Sequence, residues 1–313
     1  MSLQTFRNIQ VPKEFPLDID LALVSLSAES RCTNVVEMTS FHARTRLAII
    51  EHESPLSSYT KSDKILKELN FSSVNSNVFE ATLSASSVSF DRTQLRVVVD
   101  ISCMSREMMA RVFSWLLYSR PNIELDLYVC YSVAEFSAPP TSMSPNEYIA
   151  PVAGQFAGWP SAAQPTSLIV GLGYEPHKAE GAAEFLDASE QWLFIPNSPI
   201  DQFRIEVEKN NEGLVERARR SNRLVEYRVD DPSGTYGQLE LLVSDLARRS
   251  NPVLLPFGPK IFFALGLLQS FEHSQAGVWA VSGERAVAAV DLRPSRCVVG
   301  FEAIFRRKII EPL

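Results

Sequence analysis

The feature that most constrains this chain is that its two halves read in the same order. A shift of 146 residues places LALVSLSAESR (21–31) on SLIVGLGYEPH (167–177), RLAII (46–50) on WLFIP (192–196) and VFEATL (78–83) on LVEYRV (224–229). A shift of 154 then carries VVDISCMSREMMA (98–110) onto PVLLPFGPKIFFA (252–264), and the strand around Leu127 onto one around Val281. Val24 coincides with Val170, Leu26 with Leu172 and Glu29 with Glu175, and a cation ends both of the later turns. The eight extra residues of the second half fall near DPSGTYG (231–237), where an added loop and a helix over 238–249 are expected. Such a pattern is that of an internal duplication.

The aligned runs are short and rich in Val, Ile and Leu, and several lack strict alternation, as in strands covered on both faces. Helices are expected between them, over 32–38, 61–69 and 106–118. Strands alternating with helices at this spacing predict an α/β fold: two tandem Rossmann-like units with mostly parallel sheets. The expected boundaries are 1–138 for the first unit, 139–165 for a Pro/Ser/Ala-rich linker anchored by Phe156 and Trp159, and 166–313 for the second unit with a C-terminal extension. The tail CVVGFEAIFRRKII (297–310) reads as an edge strand, a closing helix or a partner surface, and sequence does not choose among them.

Composition narrows the function classes. With 45% hydrophobic and 21% charged residues the chain is an ordinary globular sequence. It has no apolar run of the roughly 18 residues a membrane helix needs, and MSLQTFRNIQVPKEF lacks the apolar core of a secretory signal, so a soluble cytoplasmic protein is expected. A net charge of −7 argues against a wholly basic nucleic-acid surface. Arg217, Arg219, Arg220 and Arg223 are interleaved with Glu212, Glu216 and Glu226, which reads as a salt-bridged solvent face. Cys32, Cys103, Cys130 and Cys297 lie far apart, which favours reduced thiols over a zinc site or a disulfide framework. His42, His52, His177 and His273 show no metal-ligand spacing, and no cofactor or metal is expected.

In doubly wound sheets ligands bind beyond the carboxyl ends of the strands, where helix N-termini offer unpaired N–H groups. After the first strand of each unit come Ser25, Ser27, Glu29 and Arg31, or Gly171, Gly173, Glu175 and His177. Small residues there admit backbone close to a ligand, and the glutamates can accept from ribose hydroxyls or base amines. After the fourth strand come Ser102, Ser105 and Arg106, or Gly258 and Lys260: a cation at a helix start, which makes an anion pocket. The equally available reading is structural, with the small residues turning the chain and the glutamates capping helices. Pro176 stands where a dinucleotide fingerprint needs its third glycine, and GxxxxGK[ST] and GxSxG are both absent. Asp100 and Glu107 flank the Ser102–Arg106 turn and are the candidate acid and base should the chain be an enzyme.

A polar turn after strand one, together with strand–SCMSR–helix or strand–PFGPK–helix at strand four, resembles the CRISPR-associated Rossmann-fold (CARF-like) sensor domains. The resemblance spans both halves. It implies a nucleotide or oligonucleotide-like ligand held at those two places, a role in antiviral defence or stress, and an output carried by a separate effector protein, with homo-oligomers possible. The alternatives are a nucleotide-processing enzyme of phosphodiesterase or glycosidase type, with Asp100, Arg106, Glu29 and Glu175 in its pocket, and a structural adaptor with decayed pockets.

Overall fold

A computed structural model describes residues 1–51, 59–85, 93–119, 123–138, 148–158, 161, 163–175, 177–281 and 291–307. Two units divide the chain: Met1–Glu135 with Ala289–Leu313, and Phe136–Ala288. In the first unit the strands are β1 (Ser2–Ile9), β2 (Asp18–Ser25), β3 (His42–Ile50), β4 (Ser72–Asn75), β5 (Gln94–Asp100) and β6 (Glu124–Ala134). Its helices are α1 (Asn34–Met38), α2 (Thr60–Glu68), α3 (Phe79–Ala85) and α4 (Arg106–Tyr118). The second unit holds β7 (Ile149–Pro151), β8 (Thr166–Gly171), β9 (Ala188–Asn197), β10 (Leu224–Arg228), β11 (Asn251–Pro256) and β12 (Gly277–Val281). Its helices are α5 (Lys178–Phe185), α6 (Asp201–Asn210), α7 (Glu212–Arg220), α8 (Pro232–Leu246) and α9 (Lys260–Glu272). A last strand, β13 (Pro294–Arg306), returns to the first unit.

The first sheet runs β1-β13-β6-β5-β2-β3-β4 and the second β10-β9-β8-β11-β12-β7. Numbered within each unit, β2 to β6 and β8 to β12 share the order 3-2-1-4-5, all parallel. An antiparallel strand follows the fifth in both, β13 on β6 and β7 on β12. The chain is therefore α/β with two mostly parallel sheets, and 97–101 and 252–255 occupy the same place in their sheets. The central strands are apolar on both faces: Leu21, Leu23, Val97 and Val99 are fully buried on one side of the first sheet with Ala22 and Val98 buried on the other, and Leu168, Ile169, Val170 and Leu254 are fully buried in the second. Burying one such side chain contributes about 1.5–3 kcal/mol.

Four expectations need correction. The C-terminal extension belongs to the first unit, because the alternating tail is a strand whose partners are β1 and β6. The segment expected as a linker is partly built into the second unit: it supplies β7 at the sheet edge and the fully buried ring of Phe156, while Trp159 lies outside the described residues. Residues 78–83 are not a strand. They start α3, since Phe79 and Leu83, one helical turn apart, are both fully buried, and the third strand is the polar SSVN of β4. The helix expected over 238–249 begins six residues earlier, where Asp231 accepts from Gly234 N–H and Pro232 occupies the first turn.

Candidate functional site

At the carboxyl end of β2 the buried hydroxyl of Ser25 donates to Glu51 Oε1 at 2.5 Å. Glu51 directly follows β3, and its two oxygens accept from Ser105 N–H at 3.2 and 3.1 Å. Ser105 is itself the N-cap of α4, its Oγ accepting from Met108 N–H at 3.0 Å. A protein carboxylate thus occupies the place at the start of α4 where a bound anion would gain from backbone N–H groups and the helix dipole. Arg106 is the half-buried first residue of α4, and Glu107 is exposed on its first turn.

Glu29 is engaged inside the protein as well. Its Oε2 accepts from Arg31 Nε at 2.6 Å and stands 3.7 Å from Cys103 Sγ. Arg31, only 5% exposed, also donates from Nη1 to the Ser132 carbonyl at 3.3 Å. Burial disfavours the guanidinium charge, but Tyr131, Cys103 and Glu29 outweigh it and raise the Arg31 pKa. Ser27 Oγ accepts from Glu29 N–H and the Ser27 carbonyl accepts from Cys32 Sγ, which fixes this turn from within.

Asp100 and Ser102 form a third group. Asp100 Oδ1 accepts from the Ser102 amide at 2.9 Å and from its hydroxyl, and that hydroxyl accepts from Ser132 N–H at 2.7 Å. These bonds tie the exit of β5 to β6. Asp100 is 2% exposed, whereas Glu107 faces solvent on the first turn of α4. Burial also pushes the thiols of Cys32 and Cys130 up, which keeps them protonated.

In the second unit the glycines serve loop-to-loop packing. Phe257 and Gly258 both donate to the Gly171 carbonyl, at 2.9 and 3.1 Å. A Cβ at Gly258 would strike the Leu172 carbonyl, and one at Gly173 would stand 2.7 Å from the Phe257 carbonyl and against Glu175 Oε2. Gly171 makes room for the ring of Phe262, which packs in tilted contact with Phe194 and Tyr227 at centroid distances of 5.4 and 4.9 Å. Asn211 Nδ2 donates to the Gly173 carbonyl at 3.0 Å. His177 takes a left-handed conformation (φ 63°) at the start of α5 with its ring turned out to solvent, 3.2 Å from Glu180. Lys260 opens α9 directly after Pro259, whose ring offers no capping oxygen.

The site residues expected from sequence thus fall into two sets at the carboxyl ends of their strands. Sequence reasoning missed Glu51, Ser132 and Asn211. Glu51 had a signal, as the first polar residue after the apolar run LAII on a strand adjacent to β2. The arginine cluster is paired among the described residues, but of the interleaved glutamates only Glu216 takes part, with Arg219 and Arg220; Arg217 pairs with Glu180 and Arg223 with Glu190. No group of metal-ligating side chains occurs among the described residues.

Fold and site together define a class only: two α/β units with mostly parallel sheets and polar strand-end clusters. No protein-family model matches the chain, and no curated protein does. Among solved structures it is similar to a functionally unknown protein, PA1789, from Pseudomonas aeruginosa PAO1, at 7% identity over 88% of this chain and 93% of that one, with a TM-score of 0.22. It is also similar to the cytoplasmic domain of a prokaryotic cation chloride cotransporter, at 12% identity over 86% and 97% of the two chains, with a TM-score of 0.25. Among the described residues no helix is long and apolar enough to cross a membrane.

Proposed function

We propose that the chain is a non-catalytic binding module for a small nucleotide-like anion, seated in the second unit at the carboxyl ends of β8 and β11. The observation that carries this reading is the contrast between two helix starts. In the first unit α4 is capped by Ser105 and fronted by the Glu51 carboxylate. In the second, the N-cap residue of α9 is Pro259, whose own side chain makes no capping bond, and Lys260 is the helix's first residue. First-turn N–H groups and an ammonium together favour a phosphate or carboxylate. Glu175, on the adjoining loop, is the recognition carboxylate for a hydroxyl or amine of the ligand. Commitment of Asp100 to Ser102 supports binding over turnover. In this reading the protein is a cytoplasmic sensor in a defence or stress system and acts through a protein effector.

Native mass spectrometry of the protein purified from its own host tests this directly. A retained nucleotide that is released intact, and that is lost in Lys260→Ala, is the expected result. A ligand converted on release would replace the sensor with an enzyme, and retention unchanged by Lys260→Ala would remove α9 from the site.

A further inference from the structure

At the opposite, amino-terminal ends of β2, β3 and β5, the first unit has a recess of about 730 Å³ lined by Asp18, Asp20, His42, Arg44, Gln94 and Arg96. These are alternate residues of three adjacent parallel strands, in the registers Asp18↔His42 and Ala22↔Val98, so all six share one face of the sheet. Further along that face Ala22, Val24 and Ala48 pack against Val36, Leu66 and Phe71. Apolar cover ends half-way along the strands and charge begins. Parallel sheets ordinarily cover both faces with helices, so a charged recess on this one calls for a polar occupant.

The charges are held from beneath. Asp20, 8% exposed, accepts from Arg96 N–H at 2.9 Å, Arg96 Nη1 donates to the Asp18 carbonyl at 3.1 Å, and Gln94 and Arg306 both donate to Asp126. Toward carboxylates the two guanidiniums are only loosely engaged, the one firm bond among the described residues being that of Arg96 Nη1 to the Asp18 carbonyl. Arg44 Nε stands 3.5 Å from Asp20 and Arg96 Nε 3.8 Å from Asp126, longer than good charge-assisted hydrogen bonds, and both side chains are partly exposed. Two cations, one on each neighbouring strand, therefore flank a fixed carboxylate on the central one, with Asp18 a further pleat repeat along. A ligand of one charge sign would meet a like charge at every position. One carrying both signs would meet a complement for each.

We propose that this recess binds a small zwitterion of the amino-acid or short-peptide class, its carboxylate on Arg44 and Arg96 and its ammonium on Asp18 and Asp20. The site is independent of the anion seat in the second unit. Calorimetric titration of the full chain with glycine, diglycine, N-acetyl-diglycine and diglycine amide tests it. At least one zwitterion is expected to bind, and each blocked peptide, lacking one charge, should bind at least about tenfold more weakly than diglycine. Equal binding of glycine would show that a free amino acid suffices, and binding of diglycine alone would assign the site to peptides. Arg44→Gln and Asp18→Asn, both at exposed positions, should each weaken zwitterion binding about tenfold while leaving thermal unfolding unchanged. Absence of binding at about 10 mM zwitterion, a blocked peptide that binds as well as diglycine, or unchanged affinity in both variants would overturn the proposal.

Discussion

Glu51 shows how one side chain decides what a helix terminus can do. Its carboxylate takes the Ser25 hydroxyl and the Ser105 N–H, so Glu51→Ala leaves two donors beneath the start of α4 without an acceptor. A loss of roughly 1–3 kcal/mol is expected. Sulfate, able to take the vacated place, should recover part of the lost melting temperature in Glu51→Ala and do little for the wild-type chain. Equal sulfate effects on both would show that the carboxylate is not standing where an anion fits. Lys260→Ala should lower affinity for the second unit's anion by roughly 1.5–3 kcal/mol, the range for a hydrogen bond to a charged group, with the fold intact. Glu190 makes the pH prediction. Burial alone would raise its pKa, but Arg249, Ser167 and Trp192 donate to it and hold it below the ordinary carboxylate value. A depressed folded-state pKa adds stability that is fully present above the unfolded value of about 4.3 and is lost as pH falls through the folded one. Glu190→Gln should therefore flatten the acid limb of the stability curve, and a limb of unchanged steepness would count against this pairing.

At the scale of elements, the two loops at the second unit's strand ends are held by backbone contact, and Gly258 is where that contact is tightest. Gly258→Ala places a methyl group on the Leu172 carbonyl, which cannot rotate away as a side chain would. Separating the loops should cost about 1–3 kcal/mol, read as a lower denaturation midpoint, while Gly154→Ala, with open space around it, serves as the neutral control. The elements legible in the sequence were the ones buried on both faces. β2, β5, β8, β9 and β11 carry unbroken apolar runs, and α4 and α9 follow their turns directly. β4 was illegible because it is a four-residue polar edge strand, and α3 drew the assignment instead, although the spacing of Phe79 and Leu83 is helical. Candidate site residues were placed at the correct ends of their strands by topology alone. Their partners were not: Glu51, the first polar residue after LAII, carried a signal, but Ser132 lies in a strand buried on both faces and Asn211 between two helices, where periodicity marks neither.

For the whole molecule, the consequence lies in where each sheet finds its strands. All six strands of the second sheet, β7 to β12, come from residues 149–281, a continuous stretch. The first sheet is discontinuous: β13, from residues 294–306, lies between β1 and β6 and pairs with both. Without β13, the backbone groups of β6 that face it lose their partners, β1 has no strand to join, and Phe301, Ala303 and Phe305, all fully buried, leave the core. Burial of two phenylalanines alone accounts for about 3–6 kcal/mol, a large part of a stability of roughly 5–15 kcal/mol. A fragment of residues 136–288 should therefore unfold cooperatively by circular dichroism, whereas residues 1–135 should not fold until a peptide of residues 289–313 is added. Cooperative unfolding of 1–135 alone would mean that β13 is an accessory to the first sheet, and failure of 136–288 to fold would mean that the second sheet depends on chain outside its own strands.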